Sequence, residues 1–235
     1  MGTPYENQIL GAFVFALGVE CGKAGVFMPA NLFQQTPLDG TFGDLVVGAD
    51  WCLALEFKRE EGTIDSEKEK WGKGALQAFE GDTLLKVASR RAHMLCFSRP
   101  TSDGIDLFAV TYASALGLGT TTGEIDCHRL IEGLVHLVGD QSPEAKKKKI
   151  GLPPGELEAY LRKLASYRRQ GGGGRNATWL AVAKSGDSFK IRTSSSLEQL
   201  LEPLQERARS PAQQQDHSVW RGPTLGSRED DEHER

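Results

Sequence analysis

The stretch Trp51-Cys52-Leu53-Ala54-Leu55-Glu56-Phe57-Lys58 constrains this chain more than any other. Successive side chains on a strand point to opposite faces. Trp51, Leu53, Leu55 and Phe57 therefore make one apolar face, while Cys52, Ala54, Glu56 and Lys58 share the other. An apolar face this solid predicts a buried central strand, on which an acid and a base are unusual passengers. Thr41 to Val47 is also β-prone, and Gly48-Ala49-Asp50 supplies a turn, so the two segments form a hairpin. A three-residue loop pairs Val47 with Trp51 and Asp44 with Ala54. That register sets Asp44 on the face of Glu56, about one diagonal step away. A slip of one residue would send it to the opposite face.

Two carboxylates and a lysine gathered on a rigid hairpin suit metal-assisted hydrolysis. Asp44 and Glu56 can hold a hard divalent ion such as Mg²⁺ and leave coordination positions for water and a phosphate oxygen. Such an ion polarises a phosphodiester and lowers the pKa of bound water. Lys58 beside it orients that water and offsets charge in the transition state. The bland alternative is an ordinary strand face with a cross-strand acid, since Asp44-x(11)-Glu56-x-Lys58 arises readily by chance. Three features weigh against it: the apolar opposite face, the space left by small Cys52 and Ala54, and the order of the surrounding elements.

Before the hairpin, Thr3-Pro4-Tyr5-Glu6 has the form of a helix start, with Thr3 as N-cap and Glu6 as its capping-box partner. Ile9, Leu10, Phe13 and Leu17 repeat at helical spacing, and Gly22 and Gly25 end that helix. Val26 to Phe33 is expected as an irregular strand broken at Pro29. After the hairpin, Arg59 to Lys70 is charged enough to be a solvated connection. A helix that Gly72, Gly74 and Gly81 weaken or interrupt follows over about Trp71 to Arg91. Strands are expected over His93 to Ser98 and Ile105 to Tyr112.

This order (helix, three-stranded meander, helix, strand) together with Asp44 and Glu56-Phe57-Lys58 resembles the PD-(D/E)XK, or restriction-endonuclease-like, nuclease superfamily. The resemblance covers about Pro4 to Tyr112. It implies an α/β (α+β) fold with an αβββαβ core, its mixed central sheet flanked by helices. It also implies Mg²⁺-dependent cleavage of DNA, less often RNA, with Mn²⁺ able to substitute, in restriction, repair or defence. Asp44 and Glu56 would be the metal ligands and Lys58 the residue at the attacking water. Many members add an acid on the first helix, a place Glu6 can take, although its capping role explains it as well. Gly43 stands where the motif has proline. One branch carries a glutamine and a tyrosine four residues on in the second helix; Gln77 fits the first, and Gly81 occupies the second place. Gln77 and Lys73, one helical turn apart, are further site candidates that a solvated helix face explains equally.

The second half is less specific. Glu124 to Val138 and Gly155 to Arg169 read as helices, Ala177 to Lys184 and Phe189 to Thr193 as a hairpin, and Ser196 to Ala208 as a last helix. A core of residues 1–140, an extension over 141–208 and a disordered tail from 209 are expected, because the tail is rich in Gln, Pro, Asp and Glu. The net charge is −4, so nucleic-acid contact needs a local basic face. Lys146 to Lys149, Arg162, Lys163, Arg168, Arg169 and Arg175 offer one, or a solubilising linker. His128 and His136 lack a third ligand and are assigned no metal. Cys21, Cys52, Cys96 and Cys127 form no C-x-x-C pair and are expected as buried free thiols. No apolar run approaches the length of a membrane span, so a cytoplasmic protein without a membrane partner is expected. A catalytically silent relative that binds nucleic acid or partner proteins is the rival reading, and a homodimer stays open.

Overall fold

The structure, a computed structural model, describes residues 4–33, 43–48, 50–71, 74–102, 104–118, 123–139, 150–168, 179–185 and 188–201. Its centre is a six-stranded mixed sheet in the order β1 (Ala30–Leu32), β2 (Leu45–Gly48), β3 (Cys52–Lys58), β4 (His93–Pro100), β5 (Ile105–Thr111) and β6 (Ile125–Asp126). Neighbouring strands are antiparallel except β3 and β4, which run parallel. A parallel pair needs a crossover. After the N-terminal helix α1 (Glu6–Ala24), the described residues of this crossover form a 3₁₀ turn (Glu61–Thr63) and helices α2 (Ser66–Glu69), α3 (Ala75–Gly81) and α4 (Thr83–Ala92).

Helix α1 (Glu6–Ala24) lies on the apolar face of β3, burying Ile9, Leu10, Phe13, Leu17 and Cys21. The Phe13 ring meets Phe57 edge to face, centroids 5.4 Å apart. The helix starts later than Thr3 predicts. Tyr5 is the N-cap residue, and its N–H donates to Gln8 Oε1 at 2.9 Å, so Gln8 takes the role expected of Glu6. Gly25 ends the helix in the left-handed conformation (φ 65°), while Gly22 stays within it. Beside α1 packs α6 (Cys127–Gly139), preceded by the short α5 (Tyr112–Ala115) at the end of β5. The opposite face of β3 and β4 is covered by α7 (Pro154–Tyr167), which buries Leu157, Tyr160, Leu161 and Leu164. Every residue of β3 is buried, as a strand between two helical layers must be.

The hairpin register differs from the expected one by two residues: Val47 pairs with Leu53 and Gly48 with Cys52. An even shift keeps every strand residue on its expected face, because the side-chain period is two. The expected helix over Trp71 to Arg91 is two helices. Asp82 ends α3 and caps α4, accepting the Leu85 N–H at 3.0 Å, and a strong N-cap starts a new helix where glycine only weakens one. Beyond α7, β7 (Trp179–Ser185) and β8 (Ser188–Ser194) form a separate two-stranded sheet. Leu197, Leu200 and Leu201 after it return to the main core. Thr3, Lys73, Lys146 to Lys149, Arg169, Arg175 and the tail from 209 lie outside the described residues.

Gly48 closes the hairpin at φ 126°, where an added Cβ would overlap the Trp51 carbonyl and come within 2.7 Å of Cys52 Cα. Gly18, on α1, has open space around its Cα. Gly48→Ala should therefore lower unfolding stability by more than about 2 kcal/mol. Gly18→Ala should leave stability unchanged or raise it by about 0.5–1 kcal/mol. Denaturant titration of both variants checks the contrast, and equal effects would contradict the hairpin geometry.

Candidate functional site

Glu56 and Lys58 project from the same face of β3 into the space between the sheet, the crossover and the end of α7. Neither meets bulk water: Glu56 is 1% exposed and Lys58 7%. Helix α2 of the crossover delivers Glu67, itself 0% exposed. Lys58 Nζ lies 2.7 Å from Glu67 Oε1. Lys70, just after α2, bridges both acids, its ammonium 2.6 Å from Glu56 Oε1 and 2.6 Å from Glu67 Oε1. The Tyr112 hydroxyl donates to Glu67 Oε2 at 3.0 Å and accepts from Arg168 at 2.7 Å. Arg168, the residue after α7, also stands 3.6 Å from Glu67 and 3.9 Å from Glu56.

Aromatic rings hold this group from below. His93 follows Ala54 across the parallel pair, so it shares the face of Glu56. It stacks on Tyr112 with ring centroids 4.0 Å apart and planes 7° from parallel. Its Nδ1 is 2.9 Å from the Tyr160 hydroxyl. Trp71 packs edge-on against Phe79 nearby, its backbone bridged to Arg168.

The charges are mutually dependent. Burial alone would push the Glu67 carboxyl up, but Lys70, Lys58 and Arg168 outweigh it and hold the group well below the usual carboxylate range. Burial would likewise strip the proton from Lys70, yet Glu56 and Glu67 raise its pKa above the ordinary lysine value. Burial pushes the Tyr112 phenol up, so it stays a hydrogen-bond donor. For His93, burial and the Arg168 charge both lower the pKa well below the usual value, so the ring is neutral.

Of the residues singled out in the sequence, Glu56 and Lys58 enter this group directly. Asp44 lies one residue before β2, with its N–H donating to the Leu55 carbonyl at 3.1 Å and its carbonyl accepting from Phe33 at 2.8 Å. Its carboxylate accepts the Phe57 N–H at 2.6 Å, which ties it to the backbone between Glu56 and Lys58. Gly43 before it has φ 77°, and a Cβ there would come within 3.1 Å of Glu56 Oε2. That oxygen accepts no hydrogen bond among the described residues, although it is buried. Glu6 reaches the end of β3, where its Oε1 accepts the Arg59 N–H at 3.3 Å. Gln77 is exposed on α3 and takes no part in the buried group.

Three members of the expected basic patch lie among the described residues. Arg162 pairs with Glu158 at 2.6 Å, Lys163 pairs with Asp82, and Arg168 is interior. All four cysteines are free and buried. Glu67 and Lys70 were missed because a charged run looks solvated; their i,i+3 spacing was the available signal. Nothing local marks Tyr112, Arg168 or Tyr160. Among the described residues no group of three or more His, Cys, Asp or Glu side chains could hold a metal ion, and no helix is long and apolar enough to cross a membrane. Searches among protein families, curated proteins and solved structures return no match to this chain.

Both Glu67 and His93 have depressed folded-state pKa values, so the unfolded chain binds their protons first as pH falls. Stability should decline from about pH 6.5 downward through His93, and again below about pH 4.3 through Glu67. The His93 part is read between about pH 7 and pH 5. Denaturant titrations across this range should show that decline in the parent and a flat profile for His93→Gln. A matching slope in the variant would refute the neutral, buried histidine.

Proposed function

We propose that this chain is a metal-dependent nuclease that hydrolyses phosphodiester bonds, in DNA before RNA. The observation that carries the reading is the pairing of Glu56 and Lys58 on a buried central strand, with one Glu56 oxygen left without a hydrogen bond beside Gly43-Asp44. Buried carboxylate oxygens are normally hydrogen-bonded, so one beside Gly43 that has only the Arg168 charge at 3.9 Å suits a cation. Support also comes from the element order, a helix, three antiparallel strands, a helical crossover and a parallel fourth strand, which is compatible with the core that the resemblance implies.

In this reading Asp44 and Glu56 hold Mg²⁺, or Mn²⁺ in its place. A divalent ion there supplies polarisation of the scissile phosphate and a bound water of lowered pKa. Lys58 holds that water's orientation and offsets charge on the phosphate oxygens. Glu6, whose Oε1 accepts the Arg59 N–H, would add an acid at the end of β3. Lys70 occupies Glu56 Oε1 and so competes with the ion for this carboxylate.

A specific observation favours a second reading. Glu56 and Glu67 face three cations, Lys58, Lys70 and Arg168, and the group is almost wholly buried. Carboxylates already paired in this way suit a structural core, and the chain would then be a silent nuclease-like module that binds nucleic acid or a partner protein.

Labelled DNA and RNA substrates with Mg²⁺ or Mn²⁺ separate the two. Cleavage is expected from the parent, and Glu56→Gln should abolish it together with metal binding. Lys58→Met should lower kcat by about 100-fold or more while metal affinity holds. Lys70→Met should tighten Mg²⁺ binding in calorimetry, since its competing charge is gone. Full activity in Glu56→Gln would sink the nuclease reading, and no cleavage with any divalent ion would leave the silent module.

A further inference from the structure

The geometry points to Glu67 as the positioning residue for Lys58, an inference that rests on the nuclease reading above. A lysine has four side-chain torsions and a point charge, so by itself it holds no atom in place. Here its ammonium is fixed by one buried contact, the 2.7 Å ion pair to Glu67 Oε1. Glu67 is in turn fixed through its other oxygen. The Tyr112 hydroxyl donates to Oε2 at 3.0 Å, and Arg168 donates to that hydroxyl at 2.7 Å. Tyr112 cannot swing away, because its ring is stacked on His93, which Tyr160 holds through Nδ1.

Lys58 therefore stands at the end of a chain of contacts drawn from α2, α5, β4 and α7. The Asp44 carboxylate is tied to the Phe57 N–H. Glu67 needs no contact with substrate to matter. A displacement of the lysine by about 1 Å is enough to lower turnover about 100-fold. A purely structural ion pair would behave differently: its loss would lower stability without singling out turnover.

The test is a double-mutant cycle on the full chain, with kcat and KM measured on labelled duplex DNA and Mg²⁺ affinity measured by calorimetry. Glu67→Gln keeps the shape and the Tyr112 contact but drops the charge. It should lower kcat by about 10- to 100-fold while KM and Mg²⁺ affinity change by no more than about threefold. Tyr112→Phe should give a smaller loss of the same pattern. Lys58→Met combined with Glu67→Gln should be no slower than Lys58→Met alone, because a residue acting through the lysine has nothing left to position. If Glu67→Gln fails to fold, the cycle of Tyr112→Phe with Lys58→Met decides in the same way. Parental kcat in Glu67→Gln, or losses that multiply in the double variant, would overturn the positioning role and leave the nuclease reading standing. A parent that cleaves nothing overturns both.

Discussion

A carboxylate with no access to water sits at the junction of this molecule. Taking Glu67 out of solvent carries a penalty of several kcal/mol, recovered only through Lys58, Lys70, Arg168 and the Tyr112 hydroxyl. Those partners come from β3, the crossover, the end of α7 and the end of β5. Each must therefore be in its final place before the charge is satisfied. Removing one partner of such a group typically costs about 3–5 kcal/mol, more than replacing all of them by apolar side chains. The group is thus a lock on the arrangement of elements rather than a source of net stability.

The sheet makes that lock possible. Parallel pairing of β3 and β4 sets Ala54 beside His93 and Glu56 beside Leu95, so the charged face of β3 continues into an apolar and aromatic face of β4. Small Ala54 leaves the room in which Tyr112 stacks on His93 and supports Glu67 from below. On the other face Phe57 meets Phe13, and α1 and α6 close the core. One strand thus has an apolar side that anchors it and a polar side kept rigid by a crossover. Rigidity of this kind is what the proposed chemistry of a lysine and two acids on a phosphodiester needs.

Much of the framework was legible because it is periodic. The alternation of Trp51 to Lys58 gives a two-faced strand, and the i, i+4 repeat of Ile9, Phe13 and Leu17 gives the buried stripe of α1. The misread register moved every pair by two residues and left the faces intact. The helix after β3 breaks at Gly81, one of the glycines expected to weaken or interrupt it, and Asp82 supplies the cap that starts the next one. Glu67 escaped notice. In a run of charges composition reports solvation, and one member of the run can be wholly buried only if distant residues arrive to neutralise it.

What the sequence by itself determined is the face on which each strand residue lies, and with it the neighbourhood of Glu56 and Lys58. That follows from the backbone, whose side-chain period is two whatever the rest of the chain does. Tertiary structure alone decided which charges meet those two. Arg168 belongs to a basic stretch more than a hundred residues away, and Tyr112 closes a strand on the far side of β4. Their partnership with Glu67 depends on where the crossover and α7 come to rest. No local rule encodes it, because burial energy, unlike side-chain alternation, is a property of the assembled core.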